Sequence, residues 1–257
     1  MTSGFTDARP LQVQVADDVR LKIESGEWPP GHKLPSFDEL ATAHGCSLAV
    51  VRKAVDLLKQ QGLIVTMQGS GTFVRDHPIA QLQGIERYSR SLWQSGKTVL
   101  VATPRDSIYG KASQEIRALE QVPASKLVAD RLRIAVGTPV WARRRTTAVD
   151  GRPNQLADSY YELDVVRGTA IMEPDTGPGG GLARLEENGY RLAEVEEELS
   201  TRMPTGPESV SLQLPPGTPV LELVRTIYDD TGRAVEVMTS VIAGDTAAFR
   251  YRFPIPD

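Results

Sequence analysis

LPSFDELATAHGCSLAVVRKAVDLLKQQGLIVTMQGSGTFV, residues 34–74, decides how the N-terminal part of this 257-residue chain folds. Ser36 followed three residues later by Glu39 forms a capping box, in which hydroxyl and carboxylate satisfy the free amides that open a helix. Gly45 ends that helix. Ser47 begins a second one, along which Val51, Ala54, Val55 and Leu58 fall at helical spacing while Arg52, Lys53, Asp56 and Lys59 point elsewhere. Gly62 closes it. Residues 63–66 and 72–75 are apolar or β-branched on both sides of Gln68-Gly69-Ser70-Gly71, the pattern of a short hairpin around a glycine turn. Helix, turn, helix and hairpin make a winged helix-turn-helix.

Net charge does not by itself point to nucleic acid. The chain has 29 Lys/Arg against 33 Asp/Glu, a formal charge of −4. Residues 1–78 carry eight basic against nine acidic side chains, so the excess acid is spread over both halves. The local distribution differs: between Gly45 and Gly62, Arg52, Lys53 and Lys59 stand against Asp56, net +2 on one helix. Phosphate contacts require a charged face, not a charged protein. No apolar run approaches the length of a membrane span, and MTSGFTDARP lacks the charged-then-apolar pattern of a signal peptide, so a cytoplasmic protein with no membrane contact is expected. The single cysteine, Cys46, excludes an internal disulfide and reads as a small apolar residue between helices. His32, His44 and His77 have no ligand spacing, and neither metal nor cofactor is expected.

Upstream, Val15, Ala16, Val19 and Ile23 mark the inner face of a first helix that stops at Gly26, and Trp28-Pro29-Pro30-Gly31 forms a rigid corner. The segments SGEWPPGHKLPS, ELA, VRKAVDLLKQQGLI and QGSGTFV, in that order, resemble the winged-helix domain of GntR-family bacterial transcription regulators over residues 11–76. That resemblance implies DNA binding. Departures stand at Asp38 and Leu48, where the family commonly carries Arg, and at Val50, where Thr is common.

Residues 77–88, with a proline among polar neighbours, read as a linker. Ile85, Tyr88, Leu92 and Trp93 then give a short amphipathic helix that Gly96 ends. The remainder is organised by an internal repeat: GTPV at 137–140 recurs at 217–220, Arg145-Thr146 recurs as Arg225-Thr226, and Asp150-Gly151-Arg152 has its counterpart in Asp230-Thr231-Gly232-Arg233. Each copy reads as a strand, a tight Asp/Gly turn and a returning strand, and two related hairpins make one antiparallel sheet. Its buried face needs cover, for which segments 123–132 and 182–187 are the helical candidates. An α+β domain over residues 89–253 follows, serving effector binding and dimerisation. GTPV, RRRTTAVDGRPNQLADSYY, ARLEENGY, EEELSTRMP and FRYRF resemble the UTRA effector domain of the HutC branch of GntR regulators, which implies a chorismate-lyase-like fold.

Within the DNA-binding unit the N-terminal part of the second motif helix is expected to enter the major groove, presenting Ser47, Leu48, Ala49, Arg52 and Lys53. The guanidinium of Arg52 matches guanine O6/N7 or a phosphate, and Leu48 and Ala49 can meet thymine methyls. Ser36 stands at the start of the preceding helix. Gln68, Gly69, Ser70 and Gly71 can approach the DNA backbone as the wing tip.

In the second domain Arg143 and Arg145 lie two apart in one strand and share a face, a pairing suited to an anion, while Arg144 points to the other side. The resemblance adds Gln155 and Glu236 on the returning strands, with Ser159 and Tyr161. The alternative is that Arg143 and Arg145 form surface ion pairs with the acidic run 194–198. Residues 177–181, GPGGG, lack the spacing and the following Lys-Ser/Thr of a phosphate loop and read as a flexible loop. No Ser/His/Asp constellation or cofactor fingerprint supports an enzyme.

The sequence thus reads as a ligand-responsive DNA-binding transcription regulator. The resemblance implies a repressor that binds a palindromic double-stranded operator as a homodimer, with half-sites about one helical turn, roughly 34 Å, apart, and is released by a small anionic effector. The rival readings are a DNA-binding protein whose C-terminal domain only dimerises, and a lyase-like enzyme.

Overall fold

Helical and strand periodicities separate the chain in a computed structural model that describes residues 8–76, 81–96 and 112–255. They fall into two compact units, residues 8–76 with 214–218, and the other described residues.

In the first unit, α1 (Leu11–Glu24) lays Val15, Ala16 and Val19 against α3. The capping box forms at the start of α2 (Phe37–Ala43): Ser36 N donates to Glu39 Oε2 at 2.7 Å and Glu39 N donates to Ser36 Oγ at 3.2 Å. Gly45 follows with φ +58. On α3 (Leu48–Gln60) the expected stripe of Val51, Ala54, Val55 and Leu58 is buried, each at 2% exposure or less. At about 1.5–3 kcal/mol per fully buried aliphatic side chain, this stripe holds the three helices together far more than helix propensity does. Cys46 packs, partly buried, against the same core. Strands β1 (Ile64–Met67) and β2 (Gly71–Val74) pair antiparallel to make the wing. The chain at Lys33 bridges to Phe73, so the corner before α2 is stitched to the wing.

The second unit begins with β3 (Gln81–Gln83), a 3-10 turn over Ile85–Tyr88 and α4 (Arg90–Gln94). Both the strand and the turn lie in the stretch 77–88 read as linker. β3 pairs in parallel with the last strand, β10 (Ala247–Phe249), which the local sequence did not announce because the partner is more than 160 residues away. The single amphipathic helix expected from Ile85 to Gly96 is broken into the 3-10 turn and α4. Then come β4 (Ala112–Pro123), α5 (Lys126–Leu132), β5 (Pro139–Val149), β6 (Arg152–Glu162), α6 (Leu163–Val166), a 3-10 turn at Ala170–Met172, α7 (Gly180–Glu187), β7 (Leu192–Arg202), α8 (Gly206–Ser211), β8 (Val220–Asp229) and β9 (Ala234–Ala243).

The six long strands form one antiparallel sheet in the order β4-β5-β6-β9-β8-β7. The repeat explains that order. Each copy is strand, helix, strand, strand, and the two copies meet where β6 pairs with β9. Both faces are covered, and the two helices expected to cover one face sit on opposite ones. On the first face α5 buries Val128, Ala129 and Leu132 with Val140 and Val237. On the second, α6 and α7 bury Val165, Val166, Leu182 and Leu185 with Tyr161 and Ile227. Period-two alternation along the strands feeds both layers.

Candidate functional site

On the first unit, one end of α3 presents a continuous polar and apolar surface. Ser47 is the N-cap of α3 yet makes no side-chain cap bond, so its hydroxyl is not spent on the helix. Leu48 at the first helical position is 38% exposed, a large aliphatic side chain that the core does not claim. Ala49, Arg52 and Lys53 are exposed beside it, and neither cation is ion-paired among the described residues. Ser36 is placed differently: its hydroxyl and Glu39 are held together by the capping box, so it organises the start of α2. Asp38 lies exposed in that same first turn.

The wing carries Gln68, Gly69 and Ser70 at its exposed tip, closed by Ser70 N donating to Met67 O at 3.0 Å. Gly71 has φ +122, and a Cβ there would stand 2.8 Å from Lys33 Cε. The glycine therefore lets the stem of Lys33 cross the base of the wing, with its ammonium 5.9 Å from the Phe73 ring. Lys33 is a cation at this surface that sequence reasoning missed, since only the bridge to Phe73 brings it there.

On the second unit a cavity of about 300 Å³ opens on the α7 side of the sheet. Arg143, Arg145, Gln155, Tyr161 and Glu236 all line it. Ser159 does not line it but stands directly behind, fully buried, accepting a 2.6 Å hydrogen bond from Arg145 Nη2. The strand register accounts for this: Ser159 lies opposite Arg143 and Ala157 opposite Arg145, on the same face of the sheet. Arg144 points away, as the alternation requires, and pairs with Glu120 and Asp158.

The charges in the pocket do not balance locally. Arg225 and Glu236 form a buried ion pair at 2.6 Å, and Tyr161 donates to the other oxygen of Glu236 at 2.8 Å. Burial alone would raise the Glu236 carboxyl, but Arg225 and Arg145 hold it below the usual carboxylate range. Burial, and then the charge of Glu236, push the Tyr161 phenol well up, so it stays a donor. Arg143 is 2% exposed, and its guanidinium donates only to main-chain carbonyls, those of Ile171, Glu173 and Pro174. Burial above all, and then the neighbouring Arg145, push its pKa down and outweigh the opposing pull of Tyr161 and Asp175. Arg145 donates to Ser159 and lies 3.8 Å from Met238 Sδ, while its Nε is buried with no acceptor. Neither Arg143 nor Arg145 forms a direct ion pair among the described residues, although Asp175 acts on Arg143 and Glu236 on Arg145 at longer range. The surface-pair alternative fails: of the acidic run, Glu196 and Glu198 pair with Arg131, and Glu197 with Arg87.

Several lining residues escaped the sequence. Arg225 is the repeat counterpart of Arg145 and could have been found by the 80-residue offset that aligns the two GTPV motifs. Arg87 and Tyr88 could not, because they enter from the 3-10 turn and converge on Glu197 together with Tyr251. The glycine run 177–181 is the entry to α7 and borders the pocket. Gly179 has φ +81, and a Cβ there would lie 2.5 Å from Trp93 O, so packing on α4 accounts for its identity.

A winged helix-turn-helix with an exposed recognition end, joined to a pocketed antiparallel domain, defines the class: a DNA-binding regulator with an effector domain. Residues 11–74 match the gntR family of bacterial regulatory proteins and residues 109–248 match the UTRA domain. The chain belongs to the GntR family, in its HutC subfamily. It is 33% identical to the HTH-type transcriptional regulator SCO4628 of Streptomyces coelicolor, over 96% of this chain and 94% of that one. It is 26% identical to the mannosyl-D-glycerate transport/metabolism system repressor MngR of Escherichia coli, over 94% and 95% of the two chains. The crystal structure of a GntR-family transcriptional regulator superposes with a TM-score of 0.69 at 28% identity, covering 96% of this chain and 99% of its own. Like its relatives the chain is a transcriptional regulator and not an enzyme. No helix among the described residues is long and apolar enough to cross a membrane.

Proposed function

We propose that this regulator is a cytoplasmic repressor that binds a palindromic operator as a homodimer and is released by an anionic effector held in the pocket. The observation that carries the effector reading is the pair Arg143 and Arg145, the first fully buried, with neither at ion-pair distance from a carboxylate among the described residues. Leaving a guanidinium charge buried and unpaired costs several kcal/mol, a cost that a bound anion offsets. Gln155, Tyr161 and Glu236 line the pocket around that anion, and Ser159, behind the wall, orients Arg145 for it. For release, the effector must prefer the form that does not bind DNA.

At the DNA, α3 enters the major groove by its N-terminus, with Ser47, Leu48 and Ala49 at base edges and Arg52 and Lys53 at guanine or phosphate. Gln68, Gly69, Ser70 and Gly71 follow the backbone, and Ser36 positions the start of α2 against it. Two-fold symmetry of the operator matches two copies of the chain. Operator binding measured by fluorescence anisotropy tests both halves. Arg52→Ala loses affinity and about one unit of salt slope. Arg145→Gln keeps operator affinity but no longer releases DNA when the effector is added. An Arg52→Ala protein with unchanged affinity and salt slope sinks the DNA half, and an Arg145→Gln protein that responds like the parent sinks the effector half.

A further inference from the structure

The wing is placed to follow the DNA backbone, yet it carries no charge of its own. Residues 63–74 contain no lysine, arginine or histidine. Arg75, the next basic residue along the chain, is only 5% exposed, and its Nη1 lies 3.0 Å from where a Cβ on Gly62 would stand. Gln68, Ser70 and the glycine amides can donate to a phosphate, but neutral donors release no counterion. Lys33 brings a charge to the hairpin from outside it. Its backbone is fixed against β2 from both sides: Val74 N donates to His32 O and Leu34 N to Thr72 O, each at 2.8 Å, with Lys33 itself opposite Phe73. The stem crosses Gly71, where a Cβ would stand 2.8 Å from Lys33 Cε and 3.6 Å from Nζ. Any larger residue at 71 would displace the lysine, so Gly71 serves the cation as well as the turn. The head group stays in water while the stem packs on carbon. Lys33 is exposed and has no ion pair among the described residues. The Phe73 ring, 5.9 Å away, is at the outer limit of a cation–π contact and leaves the charge open to an anion.

We infer that Lys33 is the phosphate contact of the wing, a DNA-positioning residue lent to the hairpin by the corner before α2. The inference rests on the reading above that the wing follows the backbone, and it names the charged group that holds it there. With its stem already laid over Gly71, Lys33 loses less side-chain freedom on binding than a lysine free in solvent. Phosphates are alike at every base pair, so Lys33 contributes affinity and register but no base preference.

Fluorescence anisotropy with the full chain tests this on two labelled duplexes, one selected from a random pool by the unaltered protein and one of unrelated sequence. Lys33→Met keeps the apolar stem and removes only the charge. One cation at a phosphate accounts for about 0.9 of the slope of log K against log salt, which between about 1 M and about 0.1 M salt amounts to about eightfold. Lys33→Met should therefore lower the slope by about 0.9 per bound chain and weaken binding at about 0.1 M salt about eightfold per bound chain, alike on both duplexes. Lys33→Arg should keep the slope. Should Lys33→Met fail to fold, Lys33→Gln reads the same slope. An unchanged slope, affinity lost with the slope kept, or a loss confined to the selected duplex overturns the inference. If Arg52→Ala still loses affinity and slope in that case, the DNA-binding reading stands without it; if Arg52→Ala is also unchanged, both fall.

Discussion

Replacing Glu236 by Gln removes one charge from the centre of the pocket and nothing from its volume. Glu236 and Arg225 are paired at 2.6 Å with side-chain exposures of 4% and 7%. The substitution leaves Arg225 buried beside Arg143 and Arg145 with its ion-pair partner gone. Breaking a buried pair from one side typically costs about 3–5 kcal/mol, because the surviving charge is stranded away from water. For a unit of this size each kcal/mol moves the midpoint by about 2–4 °C, so the effector unit should melt roughly 6–20 °C lower. Differential scanning calorimetry reads this directly, with the winged-helix transition as an internal reference. Glu198→Gln is the control: Glu198 also pairs with an arginine, Arg131, but is 64% exposed. That change should cost less than about 1 kcal/mol. Arg225→Met combined with Glu236→Leu should recover most of the loss, since no charge is then stranded. A Glu236→Gln protein within about 1 kcal/mol of the parent would refute the reasoning, because it would mean that water or a neighbour already compensates Arg225.

Three further expectations follow from other parts of the structure. Ser36→Ala removes the acceptor for Glu39 N and should destabilise the winged-helix unit by about 1 kcal/mol in urea denaturation, while Ser36→Thr should keep most of it. Hydrogen bonds from Arg202 above all, and from Thr205, hold the Glu208 carboxyl down to about 2. Its folded pKa is depressed, so its stabilisation is complete above the ordinary carboxylate range and lost as pH falls from about 4.5 towards 2. The stability difference between parent and Glu208→Gln, measured by denaturation at pH 6, 4 and 3, should shrink accordingly, and a constant difference refutes the assignment. Gln155→Glu places a carboxylate diagonal to Arg145 as Glu236 stands to Arg225. The new carboxylate should pair with Arg145 and raise the melting midpoint of the effector unit in calorimetry, and an unchanged midpoint in a folded variant argues against Arg145 as a charge without an ion pair.

Local chemistry made the winged helix legible in detail. Capping box, buried stripe and glycine turn each act within a few residues, so Ser36, Val51, Leu58 and Gly69 could be placed from spacing alone. The sheet was legible through its repeat, because Arg143 and Arg145 inherit their common face from period-two alternation whatever the partner strand. What could not be read depends on pairings between distant segments. The strand at Gln81–Gln83 exists only because residues 247–249 complete it, and Lys33 reaches the wing only through its bridge to Phe73. The two covering helices were expected together because composition does not say on which side of a sheet a crossing chain will lie. Ser159 sits behind the pocket and not in it for a related reason: a strand position fixes the face, while depth depends on the side chains above it.

The repeat also explains why the site is charged where it is. The two copies place Arg145 and Arg225 at equivalent positions on a shared sheet, each diagonal to a residue on the returning strand, Gln155 in one copy and Glu236 in the other. With glutamate the second copy closes into an ion pair that Tyr161 completes, and burial strengthens it by excluding competing water. With glutamine the first copy cannot close. Gln155 turns across the copy boundary to Ser240, and Arg145 is left with a serine, a thioether and an unanswered Nε. One half of a near-symmetric scaffold therefore supplies rigidity and the other an unspent charge. A single carboxylate-to-amide difference between repeats is enough to separate the two tasks. The same scaffold could change its ligand by altering Gln155 and the wall residues Met238 and Leu223, with the strand register and the winged helix left as they are.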